Sequence, residues 1–148
     1  MQKKIIVLSL GGSLIVTDEI DLRFLREFKK IILKNKRKNK FIIVTGGGSV
    51  ARKYISALRE IGVNEKLQSM AGISATRMNA RFMTYFFGGD SEEGIPHTLE
   101  TLENYIHKKD IVFCGALEYR PNQTSDATAA EIANHFKTIF INLTNVSG

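Results

Sequence analysis

The sequence predicts an α/β protein built on a mainly parallel sheet. Three apolar runs, each closing on glycine, carry that prediction: Lys4 to Leu10 before Gly11-Gly12, Phe41 to Val44 before Gly46-Gly47-Gly48, and Asp110 to Gly115. The segments between them place apolar residues at helical spacing. Strand, glycine turn and helix in succession set bare backbone N–H groups and a helix N-terminus at the carboxyl edge of a sheet. Glycine there lets a ligand approach the main chain, and the helix dipole favours an anion. A bound phosphate is the expectation; a tight turn with no ligand fits the same glycines.

Taken in order, Lys4 to Leu10 (KIIVLSL) is the first strand, turning at Gly11-Gly12-Ser13. Asp21 to Lys36 is a helix with an apolar stripe of Leu22, Leu25, Phe28, Ile32 and Leu33. Phe41 to Val44 reads as a short strand buried on both faces. Ser49 opens a helix carrying Val50, Tyr54, Ile55 and Leu58. A right-handed crossover between the first two strands puts both glycine turns at one sheet edge, where open α/β sheets bind ligands. Asn64 to Phe87 is helical and expected to break near Gly72, with Met70, Ile73, Met78 and Phe82 packed. After the polar loop Gly88 to His97, Thr98 caps a short helix to His107.

The third strand is followed by the loop Ala116 to Thr124 and a helix from Ser125 to Phe136. Asp126 falls in that helix's first turn, where a carboxylate is favoured by the dipole, so a capping acid and a functional acid both fit. Thr138 to Leu143 is a fourth strand, and Asn145 to Gly148 ends the text. Strand and turn make an odd finish for a fold, and the chain is expected to be the incomplete part of a longer one.

At 148 residues and 43% hydrophobic, the chain has the makings of one domain with a core. No apolar run approaches the ~20 residues of a membrane span, and no signal-peptide pattern precedes the first strand. The single cysteine, Cys114, excludes an internal disulfide and fits a reducing cytoplasm. Much of the net charge of +6 lies in Lys29 to Lys40. It reads as a solvated helix end in preference to a nucleic-acid patch, because no aromatics interleave with the lysines.

Several site motifs are excluded by spacing. Gly46-x-Gly48-x-x-Ala51 loosely fits a dinucleotide fingerprint, but the second strand and acid required some ~20 positions on are missing. Ser49-Val50 does not supply the Lys-Ser/Thr of a P-loop. His97, His107, His135 and Cys114 show no metal-ligand spacing, and no Gly-x-Ser-x-Gly elbow is present.

Five blocks in order resemble the amino acid kinase family, and within it the archaeal type of uridylate (UMP) kinase. They are Leu8-Ser9-Leu10-Gly11-Gly12-Ser13; Val44-Thr45-Gly46-Gly47-Gly48 with Ala51 to Ile55; Gly72-Ile73-Ser74-Ala75-Thr76-Arg77-Met78-Asn79-Ala80; Thr124 to Ala130; and Thr144 to Gly148. The resemblance implies a three-layer α/β/α fold, a homo-oligomer, and transfer of the ATP γ-phosphoryl group to UMP with Mg²⁺. It assigns Asp126 to the reaction centre, Ser9, Gly11, Gly12, Ser13, Gly48 and Arg52 to ATP and its phosphates, and Gly47, Ser69, Gly115 and Thr124 to UMP. Phosphoryl transfer of this kind relies on positioning and charge neutralisation. The chain departs from the family at Ser9, where many members carry lysine, and at Ser69, where related UMP kinases carry aspartate. Its loop Ala116 to Gln123 is longer than usual, and Arg120 within it is either a phosphate clamp or a solvated cation. Family members also continue past Asn-Val-x-Gly into the part that holds adenine. A nucleotide-binding lobe without turnover, and a sister kinase acting on another small phosphate such as isopentenyl phosphate, are the alternatives.

Overall fold

The computed structural model describes residues 2–90 and 92–145. The chain runs β1 (Lys4–Leu10), α1 (Gly12–Ile15), α2 (Leu22–Asn35), β2 (Asn39–Thr45), α3 (Gly48–Glu60), α4 (Glu65–Phe86), α5 (Leu99–Lys108), β3 (Ile111–Cys114), α6 (Ser125–His135) and β4 (Phe140–Leu143). The strands form one parallel sheet in the order β3-β2-β1-β4. Its register pairs Leu10 with Thr45 and with Leu143, and Val44 with Cys114. All strands therefore end at one height, so the loops that follow them meet along a single edge.

Side chains alternate across the pleat, which divides the apolar residues into two cores. Leu8, Leu10, Phe41, Ile43 and Phe113 face α2 and α4, joined by Leu25, Phe28, Ile32, Ala80 and Met83. Val7, Ile42, Val44, Val112 and Cys114 face α5 and α6, against Leu102, Ile106, Ala129, Ile132 and Ala133. The result is three layers, α/β/α. Full burial of an aliphatic side chain of this size stabilises by roughly 1.5–3 kcal/mol over exposure, so both faces of β1 and β2 anchor the fold.

The helix ends follow local chemistry. Asp21 and Asn64 accept from the N–H groups of Phe24 and Leu67, and Thr98 accepts from Thr101. Part of the basic cluster also has structural partners. Lys40 Nζ donates to the carbonyls of Ile106 (2.6 Å) and His107 (3.3 Å) in the last turn of α5, and Lys29 Nζ to that of Phe86 (2.9 Å) at the end of α4. Cations at these helix ends complement the dipole.

Several expectations from the sequence are corrected. Helix α4 does not break at Gly72 but runs unbroken for 22 residues. Gly72 is instead a crossing point: a Cβ there would lie 3.0 Å from Ile55 Cδ1 of α3. An unbroken helix buries Gln68, Gly72, Ala75, Thr76, Asn79, Ala80 and Met83 along one face. That phase turns Met70 and Met78 outward, the latter 70% exposed, where packing was expected. Leu22 and Leu33 likewise lie at the margins of the α2 stripe and are exposed, as is Tyr54 on α3. The short helix α1 after Gly11 was not anticipated. Among the described residues no helix is long and apolar enough to cross a membrane.

Candidate functional site

The two glycine turns meet backbone to backbone. Gly46 N–H donates to Leu10 O at 3.0 Å, tying the second turn to the end of β1. A Cβ on Gly12 would come within 2.1 Å of Gly48 N, and one on Gly48 within 2.8 Å of Gly12 C. Gly48 also holds φ +62°, a conformation that L side chains avoid. Neither glycine has room for a side chain, so the first turns of α1 and α3 lie side by side at the sheet edge. First-turn N–H groups lack intrahelical partners, and two such ends together suit an anion.

Asp126 reaches the same edge from the first turn of α6. Its Oδ1 accepts the hydroxyl of buried Ser9 at 2.7 Å, and its Oδ2 accepts Asn142 Nδ2 at 3.4 Å. The cap of α6 is supplied by Thr124, whose Oγ1 accepts the Ala127 N–H at 3.0 Å. Asp126 therefore has long-range partners on β1 and β4 in addition to its favourable place near the helix N-terminus. Ser9 stands at the end of the sheet as the donor that fixes the carboxylate. Ser125 Oγ lies 3.3 Å from where a Cβ of Gly46 would stand, so α6 abuts the glycine turns.

The middle of α4 links these turns to the loop after β3. Thr45 Oγ1 donates to Thr76 O at 2.8 Å, and Asn79 Nδ2 donates to Gly46 O at 2.8 Å. Thr76 Oγ1 accepts the Ala116 N–H at 2.9 Å. A Cβ on Gly115 would lie 2.5 Å from Thr76 Oγ1, and one on Gly47 3.5 Å from Thr76 Cγ2. Gly47 and Gly115 thus flank one threonine. The 72–80 block reads in the sequence as a family marker, and the positioning roles of Thr76, Asn79 and Asn142 emerge only in the structure; polar residues on the apolar face of a helical block are the available signal for Thr76 and Asn79, whereas exposed Asn142 on β4 carries none.

Ser69, half-buried on α4, lines a cleft of about 370 Å³ with Ile55, Arg59, Glu65, Gln68, Asn122 and Gln123. The cleft brings Ser69 against the far end of the 116–123 loop. Arg120 is occupied elsewhere: its Nη1 pairs with Glu131 Oε1 at 2.7 Å. Arg52 is exposed on α3, and Ser13 and Gly11 lie at the first turn, Gly11 N–H donating to Leu143 O at 2.9 Å. Of the last expected block, Thr144 and Asn145 follow β4, whereas Val146, Ser147 and Gly148 lie outside the described residues. His97 is held below its usual pKa by burial and then by Arg77 and Arg81. Among the described residues no group of three His, Cys, Asp or Glu side chains could hold a metal ion.

The three-layer α/β/α domain thus brings paired glycine turns and a first-turn carboxylate to one sheet edge. The model of the amino acid kinase family matches residues 4–148, and the chain belongs to that family. It is 42% identical to a uridylate kinase of Thermoplasma volcanium over 144 residues, 97% of this chain and 62% of that protein. The crystal structure of the uridylate kinase from Archaeoglobus fulgidus superposes with TM-score 0.84 at 36% identity, over 97% of this chain and 64% of that one. The UMP kinase structure from Ureaplasma parvum, at TM-score 0.76 and 21% identity, shares the fold. The chain spans about 62% of the length of the curated relatives it matches.

Proposed function

We propose that this chain is the phosphoryl-acceptor lobe, with the start of the donor lobe, of a UMP kinase-like phosphotransferase. The reaction is ATP + UMP to ADP + UDP, on the route to CTP in the cytoplasm. The observation that carries the reading is the convergence of the Gly12–Gly48 contact and the Ser9–Asp126 hydrogen bond at one sheet edge. Backbone N–H groups of the two turns, with Ser13 and Arg52 beside them, would receive the transferring phosphates. Gly47, Gly115, Thr124 and Ser69 would frame the acceptor between α4 and the 116–123 loop. Asp126, held through both oxygens, would order groups at the reaction centre, since such catalysis is mostly positioning and charge stabilisation.

One carboxylate amid main-chain donors fits Mg²⁺ brought in on nucleotide phosphates, the usual mode for that ion. Asp126 would be its protein contact, and the ion would neutralise charge on the phosphates. A homo-oligomer is part of the proposal on family grounds, with nucleotides as the small-molecule partners.

A second reading, acceptance of another small phosphate such as isopentenyl phosphate or nucleotide binding without turnover, is favoured by Ser69 and by the Arg120–Glu131 pair. Calorimetric titration of the 148-residue chain with UMP, uridine and isopentenyl phosphate separates these. Saturable UMP binding with uridine far weaker supports the proposal; preference for isopentenyl phosphate transfers it to a sister kinase. In the chain, or in one extended by a donor lobe, Asp126→Asn is expected to lower turnover by about 100-fold. An unchanged rate would remove Asp126 from the reaction centre.

A further inference from the structure

Arg77 spends a guanidinium on main-chain carbonyls. Its Nε donates to Ala116 O at 3.2 Å and its Nη2 to Leu117 O at 3.0 Å. The preceding residue, Thr76, takes the Ala116 N–H. Three backbone groups of the first two residues after Gly115 are therefore held by two consecutive residues of one helix. A Cβ on Gly115 would stand 2.7 Å from Arg77 N, so the strand end and the helix are in direct contact there.

Among the described residues no carboxylate forms an ion pair with Arg77. The side chain is half-buried, and that burial lowers its pKa. Even partial burial of a cation without a counter-charge is unfavourable, and the two carbonyls offset it by accepting its N–H groups. A planar fork reaching two successive carbonyls does what neither an apolar residue nor lysine does: it fixes the direction in which the chain leaves β3.

We propose that Arg77 is a positioning residue for the acceptor: by tying the carbonyls of Ala116 and Leu117 to α4, it sets the 116–123 loop at a fixed distance from the Ser69 cleft. The inference rests on the reading above that this loop embraces a nucleoside monophosphate. The near end of the loop is then referenced to the helix that carries Ser69, while its far end is tied to α6, Gln123 Nε2 donating to Glu131 Oε2 at 3.1 Å, and α3 adds Ile55 and Arg59 to the lining. Ser69 lies on α4 eight positions before Arg77, and Asn122 and Gln123 lie at the far end of the loop that Arg77 holds.

The test compares the 148-residue chain with Arg77→Met and Arg77→Lys, the lysine variant keeping charge and approximate length should the methionine variant fold poorly. Amide hydrogen exchange is read on residues 116–123 and on β1, β2 and β3, and affinity for UMP by calorimetry. Expected are exchange at least about tenfold faster in the loop with the three strands unchanged, and UMP binding weakened about tenfold. Unaltered loop exchange overturns the proposal. So does an equal acceleration of exchange in the loop and the strands, which would make Arg77 a general fold residue. If the parent chain binds no UMP, the functional reading fails by itself, and the exchange of the loop still decides whether Arg77 positions it.

Discussion

At the scale of single residues, the site depends on atoms that are absent as much as on those present. Gly48 combines φ +62° with a 2.8 Å approach to Gly12 by any added Cβ. Gly48→Ala is therefore expected to destabilise by about 2 kcal/mol or more, since strain and steric conflict act together; urea denaturation measures it, and a loss under half of that would mean that the turns separate easily. Ser69 makes the opposite prediction. A hydroxyl offers one oxygen where a carboxylate offers two and a charge, and charge-assisted hydrogen bonds are worth about 1.5–3 kcal/mol. Ser69→Asp is expected to tighten UMP binding at least about tenfold, with no gain for isopentenyl phosphate, which has no ribose. Equal affinity before and after substitution would place the ribose outside the Ser69 cleft.

At the scale of elements, α4 is the member to which the others are fitted. Its buried polar residues run Gln68, Thr76, Asn79, Thr84. Two of them, Thr76 and Asn79, serve the edge loops, while Gln68 bonds Val63 O and Thr84 bonds Ala80 O. Asn79→Ala leaves the Gly46 carbonyl without its side-chain donor, and an unsatisfied buried acceptor costs about 1–3 kcal/mol. The melting temperature should drop accordingly, and phosphate-bearing ligands should bind more weakly than they do to the parent chain. Intact ligand affinity in a destabilised Asn79→Ala would mean that the second glycine turn holds its shape without α4. The periodicity of α4 is visible in the sequence, but Gly72 suggests a break because the crossing helix that makes a small residue fit there, through Ile55, lies 17 residues earlier in the chain.

At the scale of the whole molecule, the two cores place the only cysteine where no solvent reaches it. Burial pushes the Cys114 thiol up to about 12 from 9.0. With the folded value above the unfolded one, the thiol's contribution is fully present below pH 9.0 and is lost as pH rises toward about 12. The difference in urea midpoint between the parent chain and Cys114→Ala should be constant up to pH 9 and then shrink. A difference that stays flat to pH 11 would show that the thiol is not held neutral by burial. The sheet also leaves β4 at an edge with Phe140 and Ile141 exposed, in contrast to β1, which is paired on both sides.

Strand, glycine and helix boundaries are short-range matters of φ, apolar period and capping, and these were legible in residue order: the parallel strands, the glycine turns and the helix that begins beside Asp126. The family blocks marked the same positions. The destinations of the side chains were not legible. Ser9 meets Asp126 across 117 positions and Arg77 meets Leu117 across 40, and nothing in local sequence encodes which distant carbonyl or carboxylate a hydroxyl or guanidinium will face. That was settled by strand register, which brings Leu10, Thr45 and Leu143 to one height, and by the unbroken phase of α4, which turns Thr76 and Asn79 inward and Met78 outward. Propensity acts over one turn of chain, whereas packing two faces of a sheet fixes partners anywhere along it.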